Sequence, residues 1–192
     1  VKRCPQPAKS RRGATVNYAM VNNRMSLLWM VELGAVDLHV WPSRCDRPAN
    51  PDYVLFDIDA DRTRLAVDAA HRVKEVLDLL ELDSYVRTSG GEGLHVLVPI
   101  ARRHTHRQAR SFANVVAGAL QLETAKIDTK MIGHGQQVVA GYSVRPLPGA
   151  PVATPLRWEE VSGRLDPREH NLRTVPARVA ELGDVHAGLL RG

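Results

Sequence analysis

The sequence predicts an α+β fold, a mixed and largely antiparallel sheet flanked by helices. Three observations carry that expectation. Short apolar, strand-forming runs alternate with two long segments of helical period. The segments 84–88 and 94–100 both read as strands and are separated only by a glycine turn, a hairpin-like arrangement that argues against a purely parallel sheet. The chain's 192 residues, 44% of them hydrophobic, suffice to bury a core and suit one domain or one domain plus a tail.

Taken in order, residues 1–23 are basic and polar, with Pro5, Pro7, Lys9, Arg11 and Arg12, and read as an irregular arm with a short strand near 16–20. No apolar h-region follows the basic start and no initiator Met is present, so the chain reads as a fragment or a processed product. Over 24–33, Leu27, Leu28, Met30 and Val31 suit a short buried helix, with Gly34 ending it. Residues 36–41 alternate like a strand, placing Asp37 and His39 on one face. A loop rich in Pro, Arg and Asn leads to an apolar strand at 53–61. The clearest helix spans 62–82, with Leu65, Ala69, Val73, Val76, Leu77 and Leu80 on one stripe. A second amphipathic helix spans 104–120, with a basic outer face from Arg102, Arg103, Arg107 and Arg110. Ile127-Asp128 begins a strand, 137–143 forms another, and short helices at 158–161 and 175–182 close the chain.

Bulk properties narrow the function classes. No apolar run is long enough to span a bilayer. Cys4 and Cys45 are too few for a disulfide framework and neither sits in a C-x-x-C, so a reducing cytoplasm is expected. The net charge is +5, and the basic residues are 21 Arg against 5 Lys. That balance suits a polyanionic partner, since Arg binds phosphate in a bidentate way; it suits a GC-rich genome equally well.

Two stretches carry chemistry. In the strand at 53–61, Asp57 and Asp59 are two positions apart and so point the same way, opposite to Phe56 and Ile58. Convergent carboxylates repel unless a cation lies between them, and hard divalent ions take such ligands. A strand ending in a solvated acidic turn is the alternative, and the bare D-x-D favours it. In Thr88-Ser89-Gly90-Gly91-Glu92-Gly93-Leu94-His95, the glycines leave backbone N–H groups open to phosphate oxygens, the Ser89 hydroxyl adds a donor, and His95 lies on the return strand. An ordinary hairpin turn is the alternative there.

Together these segments resemble a known family. F-D-I-D, then T-S-G-G-x-G-L-H, then Y-S-V-R-P-x-P-G-A-P-V-x-T-P-L-x-W-E-E-V is similar to the polymerase domain of bacterial ligase D and its stand-alone relatives, within the archaeo-eukaryotic primase superfamily. L-G-A-V-D-L-H-V-W-P-S-R and the closing L-D-P-R-E-H-N-L-R-T-V-P-A-R-V-A-E-L-G-D fit as well, so the resemblance covers roughly residues 24–192. It implies a basic N-terminal arm or remnant over 1–23 and a primase-polymerase-like catalytic domain over 24–192. It implies a nucleotidyltransferase that extends DNA primers or fills gaps in end-joining repair, often with ribonucleotides. Two divalent ions, Mn²⁺ or Mg²⁺, would be held by Asp57, Asp59 and a third Asp before Y-S-V-R-P, which counting back places at Asp128. Ser89, Gly90 and His95 would bind the triphosphate, His39 would sit near the nucleotide and Arg145 would pair with its phosphates. Without the resemblance, His39 reads as a buried structural histidine and Arg145 as a surface ion pair. The implied partners are DNA, NTP or dNTP, and a DNA ligase or Ku-like end-binding protein, in the bacterial nucleoid of the cytoplasm with no membrane.

The chain also departs from the pattern. Glu92 stands where the family usually has Lys, and Met131 where it has Gln. The stretch 120–127 is short and lacks a basic segment. Most of the N-terminal part is missing, with Lys2 as its last remnant and a candidate DNA contact. These departures motivate an alternative, a catalytically weak or inactive paralogue that binds DNA ends or nucleotides. A metal-dependent phosphohydrolase using the same carboxylates ranks third.

Overall fold

A computed structural model describes residues 1–8, 13–122, 125–129, 132–133 and 135–190. Met131, Lys9, Arg11 and Arg12 lie outside the described residues. The chain divides into two units, Val1–Val36 and Asp37–Gly192.

In the first unit, β1 (Arg3–Pro7) pairs antiparallel with β2 (Thr15–Ala19). Residues expected to form an irregular arm thus form a hairpin, despite two prolines. The inward hydrogen bonds fall at even positions, from Met20 N to the Lys2 carbonyl and from Ala8 N to the Ala14 carbonyl. Pro5 and Pro7 are odd, so their missing donors lie on the outer edge of the ribbon, where no ladder bond is lost. Helix α1 (Arg24–Glu32) starts at Asn23, whose side chain accepts from Ser26 N at 2.9 Å. Gly34 follows the Leu33 cap with a positive φ of 81°. The expected burial is not found: Ser26 is the buried residue of this helix, while Leu27, Leu28, Trp29 and Val31 are exposed. Apolar side chains at these positions go round most of a short helix, so no single face collects them.

The second unit is built on a five-stranded sheet in the order β7-β4-β6-β5-β9, with every described pair antiparallel. Its first strand, β3 (His39–Val40), is outside that sheet and pairs with β8 (Val138–Val139) in a separate ribbon. Both are shorter than the alternation suggests. Tyr142, inside the stretch expected to be a strand, has a φ of 66°, a left-handed conformation that a strand does not accommodate. The central strand β4 (Tyr53–Asp59) pairs with β6 (Leu94–Pro99) on one side and β7 (Lys126–Asp128) on the other. β5 (Tyr85–Thr88) and β9 (Pro155–Leu156) complete it.

One cross-strand row is wholly apolar. Phe56, Val96, Val86 and Leu156 lie side by side across β4, β6, β5 and β9, and all are buried. Helices α2 (Thr63–Leu79) and α3 (His106–Leu120) pack on this face, where the Phe112 ring meets Phe56 edge-on at 6.4 Å. The buried stripe of α2 is Ala66, Val67, Ala69, Ala70, Val73 and Leu77. It is rotated from the expected stripe, since Leu80 lies past the helix end and is exposed. α3 is capped by Thr105 and Gln108, each accepting from the other's backbone N–H. Arg102 and Arg103 precede it, and Arg102 pairs with Asp46 at 2.6 Å. The C-terminal segment, including α4 (Val175–Leu182), ties back to the sheet: Trp158 Nε1 donates to the Ser84 carbonyl, Arg178 pairs with Glu160, and His186 Nε2 bonds the Val86 carbonyl at 2.8 Å. Among the described residues, no helix is long and apolar enough to cross a membrane.

Two stability predictions arise here. Phe56→Ala removes a ring with no exposure from the centre of the core, and should cost about 3–5 kcal/mol in chemical denaturation. His186 is pushed down to about 4, mainly by burial, with the Val86 carbonyl opposing. A histidine held neutral in the fold binds its proton more readily when unfolded. Stability should therefore fall as pH drops from about 6.5 towards 4, by up to ~1.4 kcal/mol per pH unit, and level off below. Denaturation midpoints measured across that window should lose most of this slope in His186→Gln.

Candidate metal and nucleotide site

The row next to the apolar one carries the chemistry. Asp128, Asp57, His95 and Arg87 are register partners across β7, β4, β6 and β5. Directly opposed residues in an antiparallel sheet share a face, so these four side chains leave the face opposite Phe56. Asp59 lies one step along β4 on the same face, opposite Lys126. The backbone has thus not carried Asp128 away from the acidic strand, despite the short connection before it.

His95 is 3% exposed and both its ring nitrogens are engaged. Arg87 Nε donates to Nδ1 at 3.1 Å, and Nε2 lies 3.1 Å from Asp57 Oδ1. Burial is the main cause holding its pKa below the ordinary value; the charge of Arg87 adds to this and the bond to Asp57 opposes it. The Asp59 carboxyl is held above the usual carboxylate range, first by burial and then by the charge of Asp57, with Asp128 adding; His95 and Lys126 pull the other way. The three carboxylates therefore share one electrostatic field. Among the described residues, no three His, Cys, Asp or Glu side chains converge closely enough to hold an ion. What the fold supplies is a shared face of hard oxygen donors, a donor set whose chemistry suits Mg²⁺ or Mn²⁺.

The glycine turn is built against these carboxylates. Ser89 N donates to the Gly93 carbonyl at 3.0 Å, and Gly91 N donates to Ser89 Oγ at 3.2 Å. Gly90 has a φ of 75°, and a Cβ there would lie 2.5 Å from Arg145 Cγ. A Cβ at Gly93 would meet the Ile58 carbonyl oxygen at 2.7 Å and Asp59 Oδ1 at 3.1 Å. Only glycine lets the turn come this close to the acidic strand.

A cavity of about 300 Å³ opens between turn and strand, lined by Asp57, Asp59, Ser89, Glu92, His95 and Arg145 among others. Asp59 also lines a larger neighbouring hollow of about 690 Å³ with Asp61, Lys126 and Ile127. Arg145 donates from Nη1 to the Ser89 carbonyl at 3.2 Å. Its Nε lies 3.4 Å from Asp37 Oδ2, and Asp37 Oδ1 lies 3.2 Å from His39 Nε2. His39 is thus half-exposed and joined to the cavity wall through Asp37, a residue the sequence marked as polar but assigned no role. Glu92 accepts from Thr63 Oγ1 at 3.0 Å. Lys2 is exposed and immediately precedes β1, in the other unit. Arg87 was also absent from the sequence-based site; an arginine on a strand otherwise reading as core was its one signal.

Comparison with known proteins bears on the family and the fold. The chain is 28% identical to the multifunctional non-homologous end joining protein LigD of Pseudomonas aeruginosa over 181 residues, covering 84% of this chain and 22% of the relative. It is 29% identical to that of Mycolicibacterium smegmatis over 204 residues, covering 94% of this chain and 26% of the relative. The chain thus spans about a quarter of the length of these curated relatives. Its fold matches the polymerase domain of Mycobacterium tuberculosis ligase D, solved in complex with DNA, with a TM-score of 0.85 at 21% identity, covering 98% of this chain and 74% of that one. The model of the LigD primase-polymerase domain matches residues 1–186, taking in the N-terminal hairpin as well as the acidic strand and glycine turn, and the chain belongs to that family.

Proposed function

We propose that this chain is a divalent-cation-dependent nucleotidyltransferase that adds nucleotides, ribonucleotides in preference, to DNA primer ends or gaps in end-joining repair. The observation that carries this is the meeting of Asp57 and Asp59 with Ser89 and Arg145 around one cavity. A nucleoside triphosphate and its cation need both sets of groups at once, hard anionic ligands beside donors for phosphate oxygens. Asp57, Asp59 and Asp128 would hold Mn²⁺ or Mg²⁺. When bound, such ions activate the primer 3′-hydroxyl and offset charge on the triphosphate. Ser89, the Gly90 backbone and Arg145 would orient the phosphates, with His95 and His39 at the margins. Lys2 is assigned to the DNA backbone. A DNA ligase or a Ku-like end-binding protein would work beside the chain in the nucleoid, as the end-joining names of the curated relatives suggest.

Glu92 favours a second reading, a paralogue that binds nucleotide or DNA ends without turnover. Glu92 lines the same cavity, and a carboxylate there would repel phosphate.

Primer extension on a gapped, 5′-phosphorylated duplex with Mn²⁺, with NTPs and dNTPs run separately, distinguishes the two. Incorporation by the wild type that falls to background in Asp57→Ala supports nucleotidyl transfer. Undiminished extension by Asp57→Ala overturns it, and salt-sensitive binding without incorporation supports the paralogue. Glu92→Lys exchanges a repulsive charge for a charge-assisted donor, and should lower the KM for NTP on the order of tenfold with little change in kcat. An unchanged KM would mean that Glu92 faces away from the phosphates.

A further inference from the structure

We propose that Arg87 is a positioning residue for the carboxylate site, fixing the tautomer of His95 and through it the orientation of Asp57. Arg87 is 4% exposed. A buried guanidinium is costly unless its donors are satisfied and its charge is balanced. Yet its hydrogen bonds go to two neutral acceptors, His95 Nδ1 at 3.1 Å and the Val139 carbonyl at 2.7 Å. The anion in its row is Asp57, one residue further on, with the imidazole between them.

The order of the row dictates the protons. A guanidinium only donates, so Nδ1 of His95 must accept and carries no hydrogen. The single ring proton then lies on Nε2 and is donated to Asp57 Oδ1 at 3.1 Å. Arg87 thereby converts the histidine into a donor aimed at the carboxylate. His95 has no lone pair left to offer a cation, and Asp57 is held through one oxygen. This is the arrangement by which a group behind a ligand sets its direction and basicity. The Val139 carbonyl keeps the guanidinium plane from turning away. A purely structural Arg87 would tie β5 to β8 and leave the His95 tautomer indifferent.

What Asp57 does depends on the nucleotidyl-transfer reading; the tautomer does not, and the two are measured separately. Long-range ¹H–¹⁵N NMR of the wild type should show His95 with its proton on Nε2. Arg87→Met should mix the tautomers or move the proton to Nδ1, and should weaken Mn²⁺ binding, measured without nucleotide by titration of free Mn²⁺, about tenfold or more. Arg87→Lys, which keeps a donor, should recover part of both. A proton on Nδ1 in the wild type overturns the proposal whether or not any variant folds. So does a folded Arg87→Met whose tautomer is unchanged, or whose Mn²⁺ affinity stays within about twofold of the wild type. A wild type that binds no Mn²⁺ overturns the nucleotidyl-transfer reading instead, and the tautomer still decides the hold of Arg87 on His95.

Discussion

The register of β4 against its two neighbours is the constraint on which the rest depends. It sets two adjacent rows on opposite faces of one sheet. Phe56, Val96, Val86 and Leu156 form the core row, and Asp128, Asp57, His95 and Arg87 form the polar one. Because side chains alternate, a slip of one residue on either side would put Asp57 among the helices and Phe56 in the cavity. Burial of the apolar row therefore enforces the polar row.

Around that row the charges are arranged in opposition. Asp59 is pushed up first by burial and then by Asp57 and Asp128, against the pull of His95 and Lys126. Arg145 closes the far wall of the cavity and is itself steadied by Asp37 and the Ser89 carbonyl. The glycine turn can meet the acidic strand only because Gly93 has no Cβ to strike Ile58 and Asp59. Carboxylates, phosphate-type donors and close backbone are thus brought within one small volume by three different segments: β4, the β5–β6 turn and the loop after β8.

Much of this was legible in the order of residues. D-x-D on an apolar strand implies a shared face, since the period of a strand is local geometry. S-G-G-x-G between two strand segments implies a tight turn, though not that Gly93 and Ser89 Oγ take up the Ser89 and Gly91 N–H groups, and α2 and α3 follow from helical periodicity. Less legible were features set by partners distant in the chain. The N-terminal prolines hid a hairpin, because whether a missing donor matters depends on which edge faces the neighbour. The apolar residues of α1 suggested burial, but composition alone does not say what covers a helix. Arg87 on β5 was not singled out at all, because its acceptors come from β6 and from β8, distant in the chain.

The sequence by itself determined the alternation of strands and helices, the shared face of Asp57 and Asp59, and the residue types that meet at the turn, because these follow from local period and backbone freedom. Only the tertiary structure decided that Asp128 stands directly across from Asp57, that Asp37 links His39 to Arg145, and that Arg87 donates to His95. Those facts depend on strand register and on contacts between segments as many as 108 residues apart in the chain, from Asp37 to Arg145, and no local pattern encodes them.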